Sequence, residues 1–372
     1  MVYLSDDFVN SYSEIEPQWG EIGAMVAART YCHYLPEKGR REYWHEVVRR
    51  VVEYSCSLGA IEGGEAEELF DAIFNLRVFP AGRTLWVGGR DVVKQHGSAN
   101  FNCTFRAVDD LDAFSEVFYW LLLGAGAGFS VERKYIDKLP FLHPPVKVVH
   151  EPYARRVASG EGEHTQWIVE RKDSSFPTFH IVVGDSKEGW RDALKGLFVA
   201  MQREPVKLVI NYDYVRPAGE PLKTFGGRAS GYEALKDLFE RILGLIADRQ
   251  SKSGEAVRLR PVDAMDIMNC IGASVVVGGV RRTAEIALGD ADDEEYVECK
   301  NGLFTDPAKA KYRGTRVMSN NSVMLYENPG AQFFCDLLEK CEQGNDMGVI
   351  NAETAAKRCE GFQGSNPLSV AA

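Results

Sequence analysis

Apolar residues recur at helical spacing in several stretches of the chain, and short apolar runs separate those stretches. Trp44, Val47, Val48, Val51 and Val52 predict one helix, and Leu69, Ile73 and Leu76 form one face of a second over 65–76. A short extended run then ends on Cys103. Asp109-Asp110-Leu111-Asp112 opens an apolar helix carrying Phe114, Val117, Phe118, Leu121 and Leu122. Glycines at 124, 126 and 128 stop it, and Phe129-Ser130-Val131 reads as the next strand. This is a strand, helix, strand unit with its crossover.

The alternation continues downstream. Ile181-Val182-Val183 reads as a strand, and Asp185-Ser186-Lys187-Glu188 as a capping box opening a helix through Trp190, Leu194, Leu197 and Met201. A strand over 208–212 follows. Phe225-Gly226-Gly227-Arg228-Ala229-Ser230-Gly231 is a loop, and Ser230 with Glu233 caps a helix carrying Leu235, Leu238, Phe239, Ile242, Leu245 and Ile246. A Met-rich helix over 262–271 leads to a strand over 283–288. A strand over 323–326, a helix over 331–341 and a strand over 348–351 complete the series. Strands alternating with helices of this length predict an α/β fold with a largely parallel sheet or barrel. Thr84 to Val87 is a further short strand candidate, and residues 1–30 have no clear period. Pro140, Pro144, Pro145 and Pro152 exclude long helices from 136–180. That region reads as a loop-rich insertion with solvated turns such as Arg171-Lys172-Asp173-Ser174-Ser175.

Composition narrows the function classes. The 372 residues are 45% hydrophobic, enough for a substantial core, and the net charge is -11. The acidic balance argues against a nucleic-acid-binding face but leaves room for a local basic pocket. No apolar run reaches the roughly 18 residues a membrane span needs. The start, Met1 to Asp7, lacks the basic and apolar regions of a signal peptide, so a cytoplasmic, membrane-free protein is expected. The eight cysteines contain no Cys-x-x-Cys pair, which leaves no local zinc spacing or redox couple and no expected metal site.

Three places carry candidate chemistry. Cys103 ends an extended run, and in α/β sheets chemistry gathers at the C-terminal strand ends. A small buried core cysteine is the plainer reading. Arg83, in Pro80-Ala81-Gly82-Arg83-Thr84-Leu85-Trp86, could bind an anion or tie a loop to a helix end. In Gly278-Gly279-Val280-Arg281-Arg282, two glycines free the backbone and two arginines offer planar donors suited to phosphate. An exposed basic turn has the same composition.

Taken together, several segments resemble the class II, adenosylcobalamin-dependent ribonucleotide reductases, in their monomeric triphosphate-reducing form. They are 80–86, Asn102-Cys103, Gly184-Asp185-Ser186-Lys187-Glu188-Gly189-Trp190, 225–231, 276–289, Ser319-Asn320-Asn321-Ser322 and Gly364-Ser365-Asn366-Pro367. The resemblance covers about residues 25–367 and only the family's N-terminal half. It implies the first half of a ten-stranded α/β barrel (79–367, with the insertion at about 136–180), preceded by a helical segment (1–78) and followed by a non-family tail (368–372). It implies thiyl-radical conversion of ribonucleotides to 2′-deoxyribonucleotides. Cys103 would be one of two reducing thiols and Asn366 the asparagine that hydrogen-bonds the ribose. Substrate or effector contacts would fall to Arg83, Asn102, Gly279, Arg281, Arg282, Ser319 and Asn320. Adenosylcobalamin, a dNTP or ATP effector, and a dithiol reductant such as thioredoxin are expected with it.

The sequence departs from the family after Pro367. The family continues Asn-Pro-Cys-Gly-Glu, whereas this chain has Asn366-Pro367-Leu368-Ser369-Val370. The radical cysteine and the second reducing cysteine are absent. A split gene with a complementary C-terminal half on a second chain, an intein-interrupted precursor, or truncation would each account for this. A non-catalytic, nucleotide-binding regulatory subunit is the alternative function.

Overall fold

The computed structural model describes residues 3–59, 61, 63–151, 162–171, 176–220, 228–253, 256–277, 280–281, 283–342 and 344–367. Pro152, 172–175 of the expected turn at 171–175, 225–227 of the expected loop, Gly278, Gly279, Arg282 and the 368–372 tail lie outside them. The chain divides into two compact units, 1–102 and 103–372.

The first unit is built on α1 (Trp44–Ser57) and α2 (Gly63–Phe74). Val47, Val48, Val51 and Val52 of α1 bury against Phe70, Ile73 and Phe74 of α2, as their spacing requires. Each such side chain contributes roughly 1.5–3 kcal/mol by leaving water. Glu46 closes the N-terminus of α1 by accepting from the Tyr43 N–H at 2.8 Å. Residues Gly82–Val87 form α3, not the expected strand. Four apolar-leaning residues are too few for periodicity to separate a strand from a helical turn. The Leu85 N–H donates to the Ala81 carbonyl at 3.1 Å, which settles the local choice. The helices Asp6–Asn10 and Glu21–Val26 lie in the stretch that has no clear period.

The second unit holds two sheets. Strands β1 (Cys103–Ala107) and β2 (Gly126–Ser130) flank helix α4 (Asp112–Leu122), as the strand, helix, strand pattern predicts. The strand begins at Gly126, earlier than expected, because the glycines read as a helix stop pair directly with Cys103 and Phe105. Strands β3 (Lys147–Glu151), β4 (Gln166–Glu170), β5 (Thr178–Val182) and β6 (Lys207–Asn211) form a four-stranded sheet in the order β3-β6-β5-β4. Two of them come from 136–180, so that region supplies sheet strands as well as loops. Proline excludes helix there but leaves extended backbone open. Strands β7 (Glu285–Asp290), β8 (Ser319–Leu325) and β9 (Gly348–Asn351) join the first two in a five-stranded, all-parallel sheet ordered β9-β8-β7-β2-β1. The Ser319–Ser322 motif, expected to precede a strand, lies inside β8.

Helices α5 (Lys187–Ala200), α6 (Glu233–Ser253) and α7 (Pro261–Ser274) complete the unit's main core, and α8 (Ala331–Glu342) connects β8 to β9. Ser186 caps α5 by accepting from the Gly189 N–H at 2.8 Å, as its motif predicts. Ser230 instead donates to the Gly231 carbonyl at 3.4 Å. Strand residues alternate between faces, so one face of the five-stranded sheet sends Ala127, Phe129, Ala287, Val323 and Leu325 into the core with α4 and α7. Phe114 of α4 stacks on Phe198 of α5 at 4.9 Å. The other face carries Phe105, Ile286, Leu288, Met324 and Ile350, with Phe362 packed against it. Among the described residues no helix is long and apolar enough to cross a membrane.

Candidate active site

The second face of the five-stranded sheet is where the predicted catalytic residues meet. Cys103 is the first residue of β1, not the last, so the thiol stands at the N-terminal edge of the sheet and the expectation of a C-terminal strand end is corrected. A turn over Gly97–Asn100 precedes it, and pairing with β2 starts only at Cys103 and Gly126. Access to the thiol comes from the residue opposite. A Cβ on Gly126 would lie 3.1 Å from the Cys103 Sγ and 3.4 Å from the Pro367 ring.

The segment from Gly364 to Pro367 crosses this face. Gly128 lies against the Ser365 carbonyl, and a Cβ there would be 2.9 Å from the Asn366 Cα. Gly364 lies against the Phe105 ring, and a Cβ there would be 2.8 Å from Leu288 Cδ1. Cys103 and Asn366, far apart in sequence, are therefore carried to neighbouring glycines of a single strand. Asn320 belongs to the same face, in the row Phe105, Gly128, Ile286, Asn320, and is exposed.

The other expected contacts lie elsewhere. Ser319 occupies the preceding row, with Thr104, Ala127 and Glu285, and its side chain points away from this face. It is buried, and its hydroxyl donates to Asn321 Oδ1 at 3.0 Å. Its carbonyl accepts from Lys300, which also donates to Asp346 Oδ2 at 2.8 Å. In the first unit, Arg83 donates to Asn102 Oδ1 at 3.0 Å, and its guanidinium lies 5.5 Å from the Trp86 ring centroid. Arg281 is in a two-residue strand with Val280 that pairs antiparallel with Val276–Val277. Gly279 and Arg282 lie outside the described residues.

A second polar cluster closes the opposite, C-terminal edge of the sheet. The buried Glu132 accepts from Ser130 Oγ and from the Tyr326 hydroxyl, both at 2.8 Å, with Lys134 Nζ 3.1 Å away. Burial, and then the Glu132 carboxylate, push the Tyr326 phenol well above its ordinary range. Sequence reasoning missed Gly126 and Gly128. The available signal was their spacing of two, matching Cys103 and Phe105 on the neighbouring strand.

Residues 4–90 match the ribonucleotide reductase alpha domain. The adenosylcobalamin-dependent ribonucleoside-triphosphate reductase of Lactobacillus acidophilus is 31% identical over 95% of this chain and 51% of its own length. The proteins of the same name from Lactobacillus delbrueckii subsp. bulgaricus and Lactobacillus leichmannii are each 33% identical over the same shares. A solved B12-dependent class II ribonucleotide reductase superposes with a TM-score of 0.80 at 27% identity, covering 99% of this chain and 56% of that one. The chain thus spans about half the length of the relatives it matches.

Two clefts among the described residues are too charged to bed a corrin. Clefts of about 360 Å³ beside Arg260, Glu294 and Arg316, and of about 650 Å³ beside Glu42, Arg49 and Arg50, are walled mainly by charged side chains. Neither offers the flat apolar bed such a ring needs. Among the described residues no cluster of three or more His, Cys, Asp or Glu is placed to hold a metal ion. In sequence and in fold, the chain is the counterpart of the N-terminal half of a class II ribonucleotide reductase.

Proposed function

We propose that this chain forms the N-terminal half of an enzyme that reduces ribonucleotides, as triphosphates, to 2′-deoxyribonucleotides. The observation that supports it most directly is the convergence of Cys103 and the Ser365-Asn366-Pro367 segment over Gly126 and Gly128. In the net reaction the 2′ carbon–oxygen bond breaks and the hydroxyl leaves as water. Two thiols become a disulfide, and their hydrogens go to C2′ and to the departing hydroxyl. Cys103 supplies one of those thiols, and Asn366 orients the ribose through its side-chain amide. The second thiol and the cysteine that bears the radical come from the complementary half, on a second chain or on a continuation of this polypeptide. Adenosylcobalamin, named for the relatives, would supply the radical and would be bound mainly by that other half. Arg83, Asn102, Gly279, Arg281, Arg282, Ser319 and Asn320 are the candidates for substrate or dNTP/ATP effector contacts. A cytoplasmic dithiol protein of the thioredoxin kind resets the disulfide.

The test is deoxynucleotide formation by the chain combined with its complementary half, cofactor and excess dithiol. Cys103→Ser abolishes multiple turnover, because one thiol cannot deliver two electrons and close a disulfide. Cys270→Ser and Cys359→Ser retain it. Full activity in the Cys103 variant overturns the proposed role.

A further inference from the structure

Three glycines meet across the second face of the five-stranded sheet, the one that carries Phe105 and Leu288. Gly126 and Gly128 are alternate residues of β2, so both point to that face. Gly364 comes from the segment that crosses it. Each lacks a Cβ where another atom already sits. At Gly128 the space is taken by the Ser365 carbonyl, with the Asn366 Cα at 2.9 Å from the Cβ position. At Gly364 it is taken by the Phe105 ring, and at Gly126 the Cys103 Sγ and the Pro367 ring lie at 3.1 and 3.4 Å. Gly126, Gly128 and Gly364 do not adopt positive φ, so backbone strain does not explain their use here. Close approach does.

We propose that Gly126, Gly128 and Gly364 are positioning residues that form a seat for the 364–367 segment and so set Asn366 and Pro367 against Cys103. The seat is geometric: β2 must be free of side chains at two alternate positions for a second backbone to lie on it. Gly128 fixes the height of the segment, because its contact is backbone on backbone and no rotamer can relieve it. Gly364 fixes the lateral position, because its contact is the edge of an aromatic ring. Gly126 leaves the thiol and the proline ring a shared space. This proposal rests on the reductase reading for its meaning in catalysis, but the seat can be tested without turnover.

The test is a disulfide trap in the 372-residue chain. With Pro367→Cys, mild oxidation is expected to link the new thiol to Cys103, read by peptide mass spectrometry. Adding Gly128→Ala is expected to slow that link at least tenfold while the far-UV circular dichroism is kept. Because Gly128 sits in a central strand, Gly364→Ala provides a second variant outside the sheet, with the same expected loss. Phe105→Leu combined with Gly364→Ala is expected to restore part of the link, since a smaller side chain removes the ring contact while Leu288 Cδ1 stays 2.8 Å from the added Cβ. Equal trapping rates in the folded Gly128→Ala or Gly364→Ala backgrounds overturn the seat. So does failure of the Pro367→Cys chain to link at all. If trapping behaves as expected while Cys103→Ser keeps full turnover, the seat stands and the reductase role of Cys103 fails.

Discussion

At Arg316, charge is buried almost completely. Its guanidinium makes two bonds of 2.7 Å to the Asp266 carboxylate, donates to the Cys299 carbonyl at 2.6 Å and lies 3.9 Å from the Tyr312 ring centroid. Asp266 is on α7 and Arg316 precedes β8, so the pair ties helix to sheet. Arg316→Met leaves a carboxylate buried without its partner and is expected to lower stability by about 3–5 kcal/mol. Asp266→Leu added to it should recover most of that loss, because both charges are then gone. Urea unfolding of the two variants checks the pair; equal loss in single and double variants would refute it. Under the proposed function Cys103 differs because its role is chemical, so its serine variant should fold and fail only in turnover.

Elements differ in how clearly their residues announce them. The faces of α1, α4 and α5 were legible, since their valines, phenylalanines and leucines recur at helical spacing over three or more turns. Strand β2 was obscured because Gly126, Ala127 and Gly128 carry no apolar alternation; the strand is glycine-rich because something lies on it. Segment 136–180 hid two strands because proline speaks only against helix. Of the candidate site, Cys103 and Asn366 were recognisable by family resemblance, but their shared face is a matter of register, which no local pattern encodes. Ser319 shows the same limit: a one-residue step along β8 separates it from the face that Asn320 occupies. At the start of α1, the Glu46 carboxyl is held down to about 2 from its ordinary 4.5, chiefly by hydrogen bonds from Arg40 and against the cost of burial. Lys38 and the Tyr43 N–H assist. A folded value below the unfolded one stabilises above the unfolded value and is lost as pH falls through the folded one. The first unit should therefore lose stability between about pH 4.5 and 2, and Glu46→Gln should flatten that dependence in thermal melts.

At the scale of the whole molecule, and among the described residues, the five-stranded sheet has no strand beyond β1 or β9, and residues 362–367 cover part of one face. Open edges recruit further strands. Under the proposed function, a complementary half supplied as a second chain should bind tightly, burying well above the roughly 2,000 Å² of an ordinary interface. Analytical ultracentrifugation of mixed halves checks this; separate sedimentation at micromolar concentration would count against it.

The neighbour relation between β2 and β7 has a bearing on biosynthesis. These adjacent central strands are separated in the chain by the entire four-stranded sheet and by α5, α6 and α7. During translation, β1, α4 and β2 emerge long before β7, so the β2 edge waits unpaired while the intervening elements are made. Closing so long a loop is entropically costly and makes the central pairing a late, slow event. A ribosome that stalls between the two strands would expose a nascent edge with no partner, and refolding of the full chain should show the four-stranded sheet protected from hydrogen exchange before the β2–β7 ladder.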